Sequence, residues 1–343
     1  MYYRFAFSLL ILLFNVQIIF AQPIAEEQEK QWRIVFYNVE NFFDAKVDST
    51  TDYNEFTPEG ERYWSYSRYK TKRNRIYKVN AAIGEWGAPA IVAFAEIENK
   101  FVLDDLINNT PLWNQHYNVL HFESNDHRGM DVGLIYNYKQ VVLISSKPIR
   151  LKDEDGKTIE TRDILYGKFL LGQDTLHLFV NHWPSRYGGI LQTEPLREMA
   201  AITLKRSVDS ICEMVDQPNI LIMGDFNDDP GDNSIRMLTD TNNSCRLVNM
   251  ELIPTDYPVK GTLKYHAEWN TFDQIICTEY LINKKTKLNI KGSVANVFSA
   301  SFLLEEDEKY MGMKPNRTYI GFKYHGGFSD HLPVYVDLYK SNR

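Results

Sequence analysis

Cysteine is scarce in this chain: three in 343 residues, Cys212, Cys245 and Cys277. They are too few and too scattered for a disulfide framework or a zinc ribbon, so stability is expected to come from a buried core. Positive charge is not in excess either. The formal net charge of -7 excludes a protein that coats nucleic acid through a broad basic surface, though not an enzyme that touches a few phosphates. Beyond the first residues there is no apolar run of membrane-spanning length, no low-complexity linker, no charge block and no internal repeat. No H-E-x-x-H and no G-x-S-x-G occurs, which disfavours a zinc protease and a serine hydrolase.

What is present begins with a leader. "MYYRFAFSLLILLFNVQIIFAQP" has a cation at Arg4, an apolar stretch from Phe5 to Phe14 and a small residue at Ala21, the pattern of a secretory signal. As a membrane span it falls short of the ~20 apolar residues a bilayer needs, and Asn15 and Gln17 interrupt it. The expectation is residues 1–21 as signal peptide and 22–343 as one domain, exported to a periplasmic or extracellular space as a monomer.

Short β-rich runs alternate with helical periodicity over 68–86 and 194–215, so the class is α/β or α+β. The basic stretch "SRYKTKRNRIYK", 67–78, reads as the solvated face of the first helix. Several β runs stop at unusual polar residues: Asn38 to Asn41, Glu96, Asn181 with His182, Asp225 with Asn227, Asp273, and Asp330 with His331. Each has a bland reading as a cap, a turn or a rim histidine. Five such coincidences, from Glu96 to His331, at five strand ends favour one shared site.

"LIMGDFNDDP", 221–230, is the most telling run. A calcium loop fails, because Pro230 and Arg236 stand where Gly and Glu are required. Asp229 to Gly231 is good turn chemistry, but a turn leaves Asp225 and Asn227 unexplained. Two residues apart on an extended segment, these two point the same way. Carboxylate and amide oxygens suit a hard cation such as Mg²⁺, with Mn²⁺ or Ca²⁺ as alternatives. Two histidines able to pair with Asp supply proton transfer near neutral pH. The combination fits metal-assisted phosphoester hydrolysis.

The order "VEN", "AEIEN", "NHW", "GDFN", "FDQI" and "SDHLPV" resembles the endonuclease/exonuclease/phosphatase superfamily, the fold of pancreatic-type deoxyribonucleases. The resemblance runs from about Arg33 to Asp337. It implies a four-layered α/β sandwich, two mixed β-sheets packed face to face with helices outside. It also implies metal ligation by Glu96 with Asn38 and Asp330, and catalysis by His182, Asp225, Asn227, Asp273 and His331. Substrate contacts would come from Arg162, Asn181 and Asp131, the last as the acid paired with His182. The implied activity is a divalent-metal-dependent phosphodiester hydrolase, foremost a nuclease on DNA or RNA. A phosphomonoesterase or lipid phosphodiesterase on the same scaffold is the alternative, and a non-catalytic surface-binding homologue a third. Asp228 and Asp229 stand where inositol-lipid phosphatases carry an aromatic and an arginine, and facing the groove they would repel a polyanion.

Overall fold

The computed structural model of the protein describes residues 30–46, 55–85, 87–153, 155–240, 245–283 and 287–340. The expected leader lies outside the described residues. β1 (Gln31–Phe42) and β2 (Ile91–Ile97) are parallel neighbours, joined by α1 (Tyr66–Gly84). Val35, Tyr37, Val92 and Phe94 meet Ile76, Val79 and Ile83 of that helix, the period-2 face of two strands against the period-3.6 face of a helix. α2 (Lys100–Asn108) follows, then β3 (Tyr117–His121) and β4 (Asp131–Asn137) extend the sheet antiparallel. The C-terminal strand, Val334–Lys340, closes on the other side of β1.

The second sheet repeats the device. β5 (Val141–Ile149), β6 (Ile164–Leu171) and β7 (Asp174–His182) form a meander. α3 (Ile190–Met214) then crosses over to β8 (Ile220–Asp225), which pairs parallel with β7. The strand Asp273–Thr278 runs antiparallel beside β8 and is followed in the sheet by β9 (Leu247–Asn249). Leu176, Leu178, Val180, Leu221 and Met223 face the first sheet in the main core. Their alternates Phe179, Ile220 and Ile222 pack instead on Ala200, Leu204, Val208 and Ile211 of α3. Both sheets are mixed and the layering is helix, sheet, sheet, helix, as the resemblance implies. Among the described residues no helix is long and apolar enough to cross a membrane.

Two expectations need correction. Lys72 and Arg73 do not lie on a solvated helix face. Both are buried, Lys72 donating to Thr318 Oγ1 at 2.5 Å and the Phe328 carbonyl at 2.6 Å, Arg73 pairing with Asp105 at 2.8 Å. The core is also not the sole covalent-free support, because a Cys212–Cys245 disulfide pins the end of α3 to the segment before β9.

Candidate active site

Asn38 and Glu96 sit at the C-terminal ends of the first parallel pair, His182 and Asp225 at those of the second. Ligand sites in α/β proteins gather at such strand ends, where the backbone leaves the ladder and frees its side chains. Asp273 stands directly opposite Asp225, and His331 reaches the same point from the segment before the C-terminal strand.

Local geometry explains why Glu96 is presented. The β1–β2 register slips between Asn38 and Phe42, and the β2–β4 register slips between Ala95 and Ile97. Glu96 is the extra residue in the second slip and adopts φ 61°, while Glu40 and Asn41 opposite take φ 52° and 57°. Left-handed backbone costs a side-chain-bearing residue free energy, and such strain gathers at functional sites. Glu96 is held by the Asn41 amide at 2.9 Å and Asn38 Nδ2 at 3.2 Å.

Asn38 Nδ2 also donates to Asp225 Oδ2 at 3.0 Å, and the Asn227 amide donates to Asp225 Oδ1 at 2.9 Å. Both histidines aim Nε2 at Asp225 Oδ2, each from 3.8 Å. Behind His331, Nδ1 is bonded to Asp273 Oδ2 at 2.7 Å. Ser329 Oγ accepts from the His331 amide at 3.1 Å and donates to the Asn38 carbonyl at 2.7 Å, tying this corner to β1. Gly224 is obligatory, since a Cβ there would lie 2.3 Å from the Asn181 carbonyl oxygen.

The environments drive the titrating groups apart. Burial and the Asp273 charge push the Asp225 carboxyl up to about 6, although His331 opposes the shift. Burial works against a charged His331, but Asp273 and Asp225 outweigh it and hold the imidazolium well above the usual range. His182 has no carboxylate behind it. Burial, followed by the charges of Arg162 and Arg128, keeps it neutral, well below the usual value. Opposite shifts on neighbouring groups separate acid and base roles.

Not every expected residue joins the cluster. Asp131 is not the acid of His182: its Oδ2 lies 3.0 Å from His121 Nε2 and its Oδ1 accepts from the Ser124 amide at 3.0 Å. Asn181 is fully buried, donating to the Met223 carbonyl at 3.2 Å and accepting from Trp183 Nε1 at 3.1 Å, so it braces β7 and offers no atom to a substrate. Arg162 is buried too, bonded to Asp126 at 3.0 Å and to the Trp183 carbonyl at 2.8 Å, which fixes the backbone just after His182. Asp228 is buried against Arg186, Arg197 and Ser234.

The sequence reading missed the charges beside the expected metal ligands. Asp330 bonds Arg317 Nη2 at 2.7 Å, and buried Glu40 accepts from the Thr318 amide at 2.6 Å and Arg317 Nε at 3.4 Å. Lys72 lies under Glu40, Asp330 and Glu96, and burial brings its ammonium down to about 8 against their pull. Glu40 was visible only as the middle of "VEN", and no local pattern marked Lys72 or Arg317. Glu96 and Asp330 offer hard oxygens beside raised carboxyls at Glu40 and Asp225, a surplus of negative charge that fits a divalent cation, whereas Asn38, expected among the ligands, turns its Nδ2 to Glu96 and Asp225 and gives its Oδ1 to the Glu40 amide at 3.0 Å. Among the described residues two groups of potential ligand atoms lie within 4.8 Å of one another, His121 with Glu123 and Asp131, and Asp225 with Asp273 and His331 in the site. The short His331–Asp273 bond occupies Nδ1, which makes these two a proton-handling pair.

The endonuclease/exonuclease/phosphatase family model matches residues 33–340; the chain belongs to that family of hydrolases. It is similar to an endonuclease/exonuclease/phosphatase from Bacteroides vulgatus, at 14% identity over 91% of this chain and 100% of the other, TM-score 0.58. It is similar to the Bacteroides thetaiotaomicron mannosyl-6-phosphatase, at 14% identity over 90% and 99%, TM-score 0.57. The human Nocturnin catalytic domain matches at 15% identity over 91% and 96%, TM-score 0.55. No curated protein matches the chain in sequence.

Proposed function

We propose that the chain is an exported, divalent-metal-dependent phosphodiester hydrolase whose substrate is nucleic acid. The observation that carries this reading is the convergence of His182, His331 and Asn38 on one carboxylate oxygen of Asp225, with Asp273 behind His331. Asp225, poised near pH 6, takes the proton of the attacking water, and the Asn227 amide keeps it aimed. His331, held as a cation by Asp273, stabilises charge that builds on the phosphate and donates to the leaving oxygen. His182, neutral, orients the phosphate from the other side. Glu96 and Asp330 would hold the cation, with Asn38 Nδ2 bracing Glu96; when bound it polarises the phosphoryl group and offsets its charge.

Asp228 and Asp229 do not stand against a polyanion. Asp228 is buried on arginines, and Asp229 caps the Thr271 amide at 2.6 Å. Export is supported by the leader pattern and by the Cys212–Cys245 disulfide, a bond that persists in oxidising compartments. N-terminal sequencing of the exported protein checks it.

The test is a panel of DNA, RNA, sphingomyelin and phosphomonoesters with titrated Mg²⁺, Mn²⁺ and Ca²⁺. Nucleic acid is expected to be cleaved, EDTA to abolish the activity, and His331→Ala to lower it ~100-fold or more. Folded protein that cleaves no phosphodiester with any of these ions overturns the reading; preference for a phosphomonoester replaces it with the phosphatase alternative.

A further inference from the structure

A cavity of about 560 Å³ opens beside the histidine cluster, within the size range of small-ligand sites. Arg162 and Arg128 line it and are also the charges that depress His182. The Trp183 carbonyl that accepts from Arg162 accepts from Asn227 Nδ2 as well, at 3.0 Å. The cavity wall is therefore one residue from the reacting groups.

Its mouth carries two rings left in water. Tyr187 is 93% exposed and Phe322 is 60% exposed, and both line the cavity. Each is anchored through its surroundings. Arg62 lies 4.6 Å over the Phe322 ring and donates to the neighbouring Gly321 carbonyl. Arg186, next to Tyr187, donates to the Asn227 carbonyl at 2.7 Å and pairs with Asp228 and Asp232. Leu151 and Ile159 contribute apolar lining.

The charges of the lining decide what fits. Arg62 is answered by Glu55 at 3.1 Å, and Arg162 and Arg128 share Asp126 at 3.0 and 3.6 Å. Each of these arginines has a carboxylate partner, and Glu160 adds a further acid to the lining beside His127, which works against a second phosphate. What is left is an apolar, ring-edged space with polar groups at its margin, which suits a flat aromatic with hydrogen-bonding edges. Aromatic side chains bind nucleobases in this way because every base has a π-face.

We infer that this cavity is a nucleoside subsite, in which Tyr187 and Phe322 hold the base on one side of the scissile phosphate and so set specificity. The inference rests on the phosphodiesterase reading above. It predicts an asymmetric substrate requirement, with one base needed and the other dispensable.

The experiment measures kcat/KM of the mature protein, with Mg²⁺, on a dinucleotide and on two analogues that each lack one base. Removing one base is expected to cost about 10-fold, and removing the other little. Tyr187→Ala and Phe322→Ala should each bring the parent-to-analogue ratio towards one while leaving the rate on the affected analogue unchanged. Both side chains are exposed, so thermal melts of the variants should match the parent. Equal cleavage of all three substrates, or a ratio unchanged in both variants, overturns the subsite and leaves the phosphodiesterase reading intact. Cleavage of none of the three, by protein that also fails on the nucleic-acid panel, overturns both.

Discussion

Asp225 ends β8 and Asp228 stands three residues further on, both almost fully buried, and they are solved in opposite ways. Asp228 is saturated. Arg197 Nε lies 2.7 Å from its Oδ1, as an ion pair without hydrogen-bond alignment, Arg186 Nη2 lies at 3.0 Å, and Ser234 Oγ donates to Oδ2 at 2.6 Å. Gln274 Nε2 donates to its backbone carbonyl at 2.6 Å. Among the described residues no arginine pairs with Asp225; its neighbours are the Asn38 and Asn227 amides, two imidazoles and Asp273, and His182 Nδ1 and Asp273 Oδ1 have no hydrogen-bond partner. A buried polar group is normally satisfied, and one that is not points to a ligand or a reaction. The difference teaches that burial alone does not mark a catalytic carboxylate; the kind of partner does, arginines sealing Asp228 while Asp225 keeps amide donors and two imidazoles at 3.8 Å.

The contrast can be broken most severely at its reactive end. Asp225→Asn should lower kcat ~100-fold or more, since the group that accepts the proton is lost. Its melting temperature should hold or rise, because a neutral amide is easier to bury than a carboxylate. A large loss of stability with activity retained would reverse the roles assigned to the two acids.

Asp228→Asn should do the opposite. Removing one partner of a buried ion pair costs about 3–5 kcal/mol, readable by urea unfolding, while folded protein keeps most of its kcat. A variant with normal stability and no turnover would make Asp228 part of the chemistry.

Acid should separate the clusters by pH. Asp225 titrates near 6, so kcat/KM should fall about tenfold per pH unit once the pH drops below that value, as the base becomes protonated. Stability should also fall in acid, but for a different reason. Burial lowers His177, which pairs with Tyr166, to about 4. Its folded value lies below its unfolded one, so the unfolded chain binds more protons between pH ~6.5 and 4 and stability is lost as pH falls through that window. The contribution is about 3 kcal/mol. His177→Gln should flatten this part of the unfolding curve and leave the kcat/KM profile unmoved.

The smallest effect is expected at the disulfide. Cys212→Ser should cost about 2–4 kcal/mol, with the pH profile of activity unchanged, because α3 anchors the sealed acid through Arg197 and does not touch Asp225.

Much of the site could be read along the chain, for a local reason. Asp225 and Asn227 share a face by two-residue spacing, and the apolar runs that precede Glu96, His182 and Asp225 announce buried strands whose ends must meet something. Pairings across the fold were another matter. Asp131 was expected behind His182 and lies behind His121, because β3 and β4 pair in a register that brings those two together. Lys72 was expected in water and lies under Glu40, because the segment 316–328 folds over α1. Arg197, a charged residue that no apolar periodicity marks, occupies a place in the buried face of α3 beside Ala200, Ala201 and Leu204.

The sequence by itself therefore determined the elements, the family resemblance and which residues end their strands. Side-chain periodicity and turn chemistry are properties of a few consecutive residues. Only the tertiary structure decided which acid serves which base. Partners such as Asp273 and His331, or Glu40 and Arg317, lie 58 and 277 residues apart, and their electrostatics depend on burial that no short window of sequence contains.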